Sequence, residues 1–95
     1  MTNVVAKHKK KRKLIINEKK LGRVRFNGGS VWGLAYKDDN LIEIDPRQKP
    51  KRYLNTLVHE LLHIVFPEAS EKQITQAANV VVKELWRANY RKTIL

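Results

Sequence analysis

The stretch YLNTLVHELLHIVF, residues 53–66, is an apolar segment with the periodicity of a helix. Its apolar residues are numerous enough to predict a largely buried helix: Leu54, Leu57, Val58, Leu61, Leu62, Ile64 and Val65. Inside it, residues 59–63 match the pattern HExxH, with His59 and His63 four positions apart. Residues at this spacing lie on one face of a helix, so both imidazoles can bind the same ion. The segment therefore predicts a helix that carries a zinc (Zn²⁺) site.

Glu60 lies between the two histidines, at the position of the general base in HExxH helices. A polar side chain in a mostly apolar helix needs a partner, because burial without one costs free energy. A metal ion would provide that partner for His59 and His63. The alternative is that the histidines are packed and hydrogen-bonded at a helix surface without metal.

The chain has 95 residues, which makes one small domain whose core is marginal unless something else adds stability. There is no cysteine, so the extra stability cannot come from disulfides and could come from bound metal. Absence of cysteine fits a reducing compartment, and no apolar run approaches the length of a membrane span. We therefore expect a cytoplasmic protein with no membrane partner.

The charge is strongly positive, with 20 Lys and Arg against 9 Asp and Glu. We expect residues 1–12 to form a disordered basic tail, followed by a single domain at 13–95. The densest run of cations is Lys7, Lys9, Lys10, Lys11, Arg12 and Lys13. Two further clusters are Arg47, Lys49, Lys51 and Arg52, and Lys83, Arg87, Arg91 and Lys92. Such clusters attract polyanions, so the tail either binds nucleic acid non-specifically or keeps a small protein in solution.

Several segments before the helix have the residue patterns of strands. The predicted strands are Lys13–Asn17, Leu21–Phe26, Val31–Lys37 and Leu41–Asp45. Alternation predicts Trp32, Leu34 and Tyr36 on one face of the third strand, and Ile42 and Ile44 on one face of the fourth. Turns are expected at Asn27-Gly28-Gly29 and at Asp38-Asp39-Asn40, where Gly and Asn tolerate left-handed backbone.

Prolines and a capping pattern mark the helix ends. Pro46 and Pro50 precede or open the first helix, and Pro67 ends it. Ser70 and Gln73 match a capping box, after which a second helix is expected to about Tyr90. Its predicted buried stripe is Ile74, Ala78, Val81 and Leu85. The expected fold is α+β, with a small antiparallel sheet of three or four strands followed by two helices, the first carrying HExxH.

Catalytic zinc usually takes three protein ligands and leaves one position for water. No Cys exists and His8 lies in the expected tail, so the third ligand should be a carboxylate. Glu71 is preferred because it shares the inward face of the second helix with Ile74 and Ala78. Glu68, Glu84 and Asp45 remain alternatives.

The segment TLVHELLH, residues 56–63, with the strand Leu41–Asp45 before it and Phe66–Glu71 after it, resembles minimal zincin metallopeptidases encoded in bacteriophage genomes. Those proteins are distantly similar to ImmA/IrrE-like and SprT-like peptidases. The resemblance covers about residues 21–90 and is specific around 54–71. It implies an acidic third ligand, which maps onto Glu71, and a location in the host cell cytoplasm. It also implies that Leu41–Asp45, as an edge strand, lines the substrate groove.

These patterns predict a zinc metallopeptidase with His59, His63 and Glu71 as ligands. Bound zinc would lower the pKa of a water molecule, and Glu60 would take its proton as the water attacks a peptide carbonyl. The substrate would be a protein or peptide. Tyr36, Tyr53 and Tyr90 are all candidates for a second oxyanion donor. The alternatives are a metal-binding interaction protein without turnover and a basic nucleic-acid-binding protein.

Overall fold

The computed structural model describes residues 13–21, 25–26 and 29–91, and the side chains of residues 13–21 and 31–91. The expected disordered tail, with Lys7 to Arg12, lies outside these residues, as does the start of the turn expected at Asn27. The described chain forms a sheet followed by two helices, which confirms the α+β class and the order of its elements. Neither of these two helices is long and apolar enough to cross a membrane.

A three-stranded sheet forms one layer of the fold. Its strands are β1 (Ile15–Glu18), β4 (Gly33–Tyr36) and β5 (Leu41–Ile44), in the order β1-β5-β4. Two short strands, β2 (Arg25–Phe26) and β3 (Gly29–Ser30), pair antiparallel with each other. Of the segment predicted as one strand from Leu21 to Phe26, Arg25 and Phe26 form β2 and Leu21 lies outside a strand, whereas the residues between them are not described.

The expectation of an antiparallel sheet is wrong in one pairing. β5 pairs antiparallel with β4 but parallel with β1, so the sheet is mixed. Parallel neighbours need a connection of a dozen or more residues, and the chain between Glu18 and Leu41 is long enough to provide it. A pattern of alternating residues contains no information on strand direction, which is why the sequence did not reveal this.

The connection from β4 to β5 is tight, as predicted. A 3₁₀ turn covers Lys37–Asp39, and Asn40 follows with φ 52° and ψ 47°. This is left-handed backbone, which Asn tolerates better than most residues. The Lys37 ammonium group donates to the carbonyl of Pro67 at 3.1 Å, which attaches this end of the sheet to the turn between the helices.

The first helix, α1, spans Pro50–Val65, with Pro50 in its first turn. The second, α2, spans Glu71–Arg87. The Ser70 hydroxyl accepts from the Gln73 backbone at 3.1 Å and the Gln73 side chain accepts from the Ser70 backbone at 2.9 Å, which confirms the capping box. This cap makes Glu71 the first residue of α2.

The helix α2 ends before the expected Tyr90. Asn89 has φ 67°, and its backbone N–H donates to the carbonyl of Trp86 while that of Tyr90 donates to Leu85. These two bonds form a Schellman motif, in which a left-handed residue ends the helix. Asn89 was the local signal for this end.

The core lies between the sheet and α1 and between the two helices. Ile42 and Ile44 are fully buried, and they lie on one face of β5 as predicted. Val58 packs with Ala78 and Val82 at the helix interface. The expected burial of Val81 is wrong, because its side chain is 39 % exposed and that of Val82 is 2 % exposed. The surface of α2 that meets α1 follows the i, i+4 row Ile74, Ala78 and Val82. Val82 continues this row and is buried, whereas Val81 lies beside it.

Candidate metal centre

Two histidines of α1 face the start of α2. The rings of His59 and His63 lie with centroids 5.0 Å apart, and their side chains are 19 % and 18 % exposed. The two helices pack antiparallel, so the last turns of α1 meet the first turn of α2. Glu71, placed there by the capping box, therefore lies opposite both imidazoles.

The Glu71 carboxylate bridges the two rings. Its Oε2 lies 2.9 Å from Nε2 of His59, and its Oε1 lies 2.9 Å from Nε2 of His63. One ligand atom from each of the three residues can be chosen so that all lie within 4.8 Å of one another. The structure thus brings together the three residues that the sequence analysis selected as ligands.

This set of ligand atoms fits a zinc ion. Two imidazole nitrogens and a carboxylate are common zinc ligands, and ligand atoms around a tetrahedral zinc lie about 3.4 Å apart. The separations within the cluster, 2.9 Å for each contact between an imidazole and the carboxylate and at most 4.8 Å among the three ligand atoms, bracket this value. The Glu71 side chain is 68 % exposed, so the cluster opens to solvent on its α2 side.

The other carboxylates considered as ligands lie elsewhere. Asp45 is fully buried and accepts hydrogen bonds from the backbone N–H of Leu21 at 2.7 Å and from the guanidinium of Arg47 at 2.7 and 2.9 Å. Glu84 pairs with Arg87 at 3.5 Å, near the opposite end of α2. Glu68 is exposed in the turn before α2. Of the four candidates, Glu71 is the one that contacts both histidines.

Glu60 lies between α1 and β4. Its Cγ is 3.0 Å and its Oε2 is 3.4 Å from the point where a Cβ on Gly33 would lie. The pKa of the Glu60 carboxyl is raised above its ordinary value. Burial is the largest cause, the nearby His59 opposes it, and the Glu71 carboxylate adds to it. Within the described residues, no hydrogen bond or ion pair engages the Glu60 carboxylate. It is a half-buried acid that has no internal partner there and lies beside the histidine cluster.

Gly33 permits the close approach of β4 to α1. A Cβ at this position would lie 2.5 Å from Cγ2 of Thr56, well inside van der Waals contact. Gly33 was not among the site residues predicted from the sequence. A glycine inside a predicted strand was the available signal, because it often marks a place where another element approaches closely.

The three tyrosines considered as oxyanion donors do not contact the cluster. Tyr36 donates to Glu43 at 3.0 Å, and Tyr53 donates to Glu18 at 2.7 Å. Tyr90 is 65 % exposed beyond the end of α2.

The expectation that Leu41–Asp45 forms the substrate groove as an edge strand is wrong. The strand in this segment, β5, is the central one, paired with β1 on one side and β4 on the other. The parallel pairing with β1 covers the edge that the sequence analysis had left open. Within the described part of the chain, the strand that has a free edge and contacts α1 beside Glu60 is β4.

Two clefts lie beside the helices in the described part of the chain. One, of about 460 Å³, lies at the turn between the helices and is lined by Val65, Phe66, Pro67, Glu68, Ala69 and Gln73. The other, of about 440 Å³, lies toward the start of α1 and is lined by Trp32, Lys51, Arg52, Asn55, Thr56 and Val82. Strand alternation alone had placed Trp32 on the same face as Leu34 and Tyr36. Trp32 precedes β4, however, so the alternation of that strand does not apply to it. It lines a cleft together with residues of both helices.

Comparison of the chain with models of known protein families, with curated proteins and with solved structures finds no match. What characterises the site is its own geometry, in which three residues from two helices that could bind a metal converge and Glu60 lies beside them.

Proposed function

We propose that this protein is a zinc-dependent hydrolase and that its substrate is a protein or peptide. The observation that carries the proposal is the convergence of His59, His63 and Glu71 on one point of the surface. A cluster of two imidazoles and one carboxylate leaves a fourth position for water or substrate, as in catalytic zinc sites. A purely structural zinc site would have four protein ligands.

His59, His63 and Glu71 would hold the zinc, which would supply Lewis-acid chemistry by lowering the pKa of a water molecule and polarising a carbonyl group. Glu60 is the general base that takes the proton of this water and passes it to the leaving amine. Its carboxylate is half-buried next to Gly33, and His59 and Glu71 are near enough to influence its pKa, which supports this role. Because no described residue competes for its oxygens, they are available for this transfer.

Two surface features support a peptide as substrate. The outer edge of β4 offers unpaired backbone groups in the described structure, and an extended peptide binds such an edge by adding a strand. The cleft at Val65, Phe66 and Ala69 begins two residues after His63 and can accept an apolar side chain next to the scissile bond. We infer an extended peptide with an apolar residue at that position.

The test uses the full chain, purified without chelator, and its Glu60→Gln variant. We expect elemental analysis to find about one zinc per chain in both proteins, because Glu60 is not a ligand. Hydrolysis of a mixture of unstructured peptides, followed by mass spectrometry, should fall by at least about 100-fold in Glu60→Gln, because the general base is lost. Glu84→Gln, a matched change far from the cluster, should retain both zinc and activity.

Two outcomes would contradict the proposal. If folded Glu60→Gln loses its zinc, Glu60 is a ligand and the assignment of the base is wrong. If the zinc-loaded protein cleaves no peptide, the cluster belongs to a metal-binding protein without turnover.

A further inference from the structure

The cleft at the start of α1 differs in chemistry from the metal centre. It combines the indole ring of Trp32 with the cationic side chains of Lys51 and Arg52 and the amide of Asn55. Arg52 and His59 are about 10 Å apart along the helix, so the cleft and the cluster occupy different ends of α1. A concave volume of about 440 Å³ is large enough for a small ring system with its substituents.

The two cations of this cleft have no acidic partners in the structure. Lys51 and Arg52 are exposed, and no carboxylate of the described residues forms an ion pair with either. The first turn of α1 contains no acidic residue, and Lys49 precedes it. Cations at this end of a helix are disfavoured by the helix dipole, so the arrangement costs stability. Such a cost is common where a surface serves binding.

A second group of cations lies at the same end of the molecule. Because α1 and α2 pack antiparallel, Lys83 and Arg87 in the last turns of α2 lie near the start of α1. Val82, the neighbour of Lys83, lines the cleft itself. Lys83 is exposed and forms no ion pair within the described residues, whereas Arg87 pairs with Glu84 at 3.5 Å. Cations of both helices therefore lie at the end of the molecule that contains the cleft.

We propose that this cleft binds single-stranded nucleic acid. One base stacks on Trp32, and the flanking phosphates pair with Lys51 and Arg52 and continue toward Lys83. Aromatic side chains beside a cationic track are the usual means of binding single strands. The bases of a duplex are stacked on one another, so they have no free face to stack on the indole. An acidic peptide would pair with the cations but would not stack on Trp32. The inference does not rest on the proposed hydrolysis.

The test measures the affinity of the full chain for a fluorescein-labelled oligothymidylate of about 12 nucleotides, by anisotropy, in about 0.15 M salt. We expect Trp32→Ala to weaken binding by about tenfold, the effect of losing one stacked base, and Trp32→Phe by less than about threefold. Residues 1–12 contain no Phe, Tyr or Trp, so a loss specific to the indole cannot arise in the basic tail. Trp86→Phe is the aromatic control, since Arg91 covers that ring at 3.6 Å.

The charge contribution is tested with the double variant Lys51→Ala/Arg52→Ala. The slope of log K, where K is the association constant, against log salt concentration should become shallower by about 1.4, because two phosphate contacts on a single strand are lost. Lys20→Ala/Lys72→Ala removes two exposed cations outside the cleft and is the matched control.

Binding should persist in His59→Ala, so failure of the zinc proposal would not imply failure of this one. Circular dichroism checks folding, and if Trp32→Ala unfolds, the double cation variant decides.

Three results would overturn the inference. The first is that folded Trp32→Ala binds the oligonucleotide like wild type, or that the double cation variant binds it like Lys20→Ala/Lys72→Ala. The second is that duplex DNA binds as tightly as the single strand and responds equally to Trp32→Ala. The third is that polyglutamate of the same charge displaces the oligonucleotide equally well, which would make this a site for acidic peptides.

Discussion

Tyr53 ties α1 to the first strand of the sheet. The residue is 8 % exposed, and its hydroxyl donates to Oε2 of Glu18 at 2.7 Å. Burial, together with the hydrogen bond to the Glu18 carboxylate, raises the pKa of Tyr53 to about 12 from an ordinary value of 10.0. Because the folded pKa is raised, the contact contributes its full stability below about pH 10 and loses it as the pH rises toward 12.

Tyr53→Phe removes this hydroxyl and leaves the ring. We expect the free energy of unfolding at neutral pH to fall by about 1–2 kcal/mol, the contribution of a hydrogen bond to a charged group. The difference between wild type and variant should shrink as the pH rises from about 10 toward 12, because the wild type loses the contact there. Urea unfolding at several pH values measures this. Tyr90→Phe is the exposed control, and an equal alkaline loss in wild type and Tyr53→Phe would disprove the assigned contribution.

At the level of elements, the contact between β4 and α1 positions the proposed general base. Gly33 lies directly against Thr56 and Glu60, two residues on adjacent turns of the same helix face. Any side chain on Gly33 must push α1 away from the sheet or rotate Glu60. The contact therefore links the packing of two elements to the position of one carboxylate.

Gly33→Ala should destabilise the fold by about 1–3 kcal/mol through overpacking. Thr56→Ser removes the methyl group that the new Cβ would meet and keeps the hydroxyl that donates to Gln48 at 2.7 Å. The double variant should therefore recover part of the loss. Denaturant unfolding of the two single variants and the double variant gives the coupling energy. Strictly additive effects would mean that the Thr56 methyl is not what opposes the new side chain.

At the scale of the whole molecule, the antiparallel helix pair separates two sites. The end of α1 and the start of α2 form the histidine and carboxylate cluster, whereas the start of α1 and the end of α2 carry the cationic cleft. A metal ligated by Glu71 as well as by His59 and His63 would join the two helices across their interface. Such an ion stabilises the whole fold, because the ligands converge only in the folded state.

Zinc should therefore raise the melting temperature of the protein. At a free concentration about 100 times its Kd, the expected gain is about 2.7 kcal/mol, or at least about 10 °C for a domain of this size. Glu71→Ala should lose most of this gain, and Glu68→Ala and Glu84→Ala should keep it. Differential scanning calorimetry with and without zinc measures the shift. If Glu68→Ala is the variant that loses the gain, the turn before α2 supplies the ligand.

Local residue patterns determined much of this protein. The α1 helix with its HExxH pair, the capping box at Ser70 and the turn at Asn40 depend on residues within about four positions of one another, so the sequence alone predicts them. The selection of Glu71 rested on the same local logic, because the cap sets where α2 begins and which face Glu71 shares with Ile74.

Contacts between distant segments decided the rest. The parallel pairing of β1 makes β5 the central strand and leaves β4 at the edge, and no pattern within either strand contains that direction. The burial of Val82 instead of Val81 depends on the row of α2 that meets Val58. Asp45 is held by Leu21, 24 positions away, and the cleft at Trp32 forms only where both helices approach it. These features depend on which surfaces meet in the folded chain. The sequence pattern of one element shows which of its faces is apolar, but it does not show which other element packs against that face.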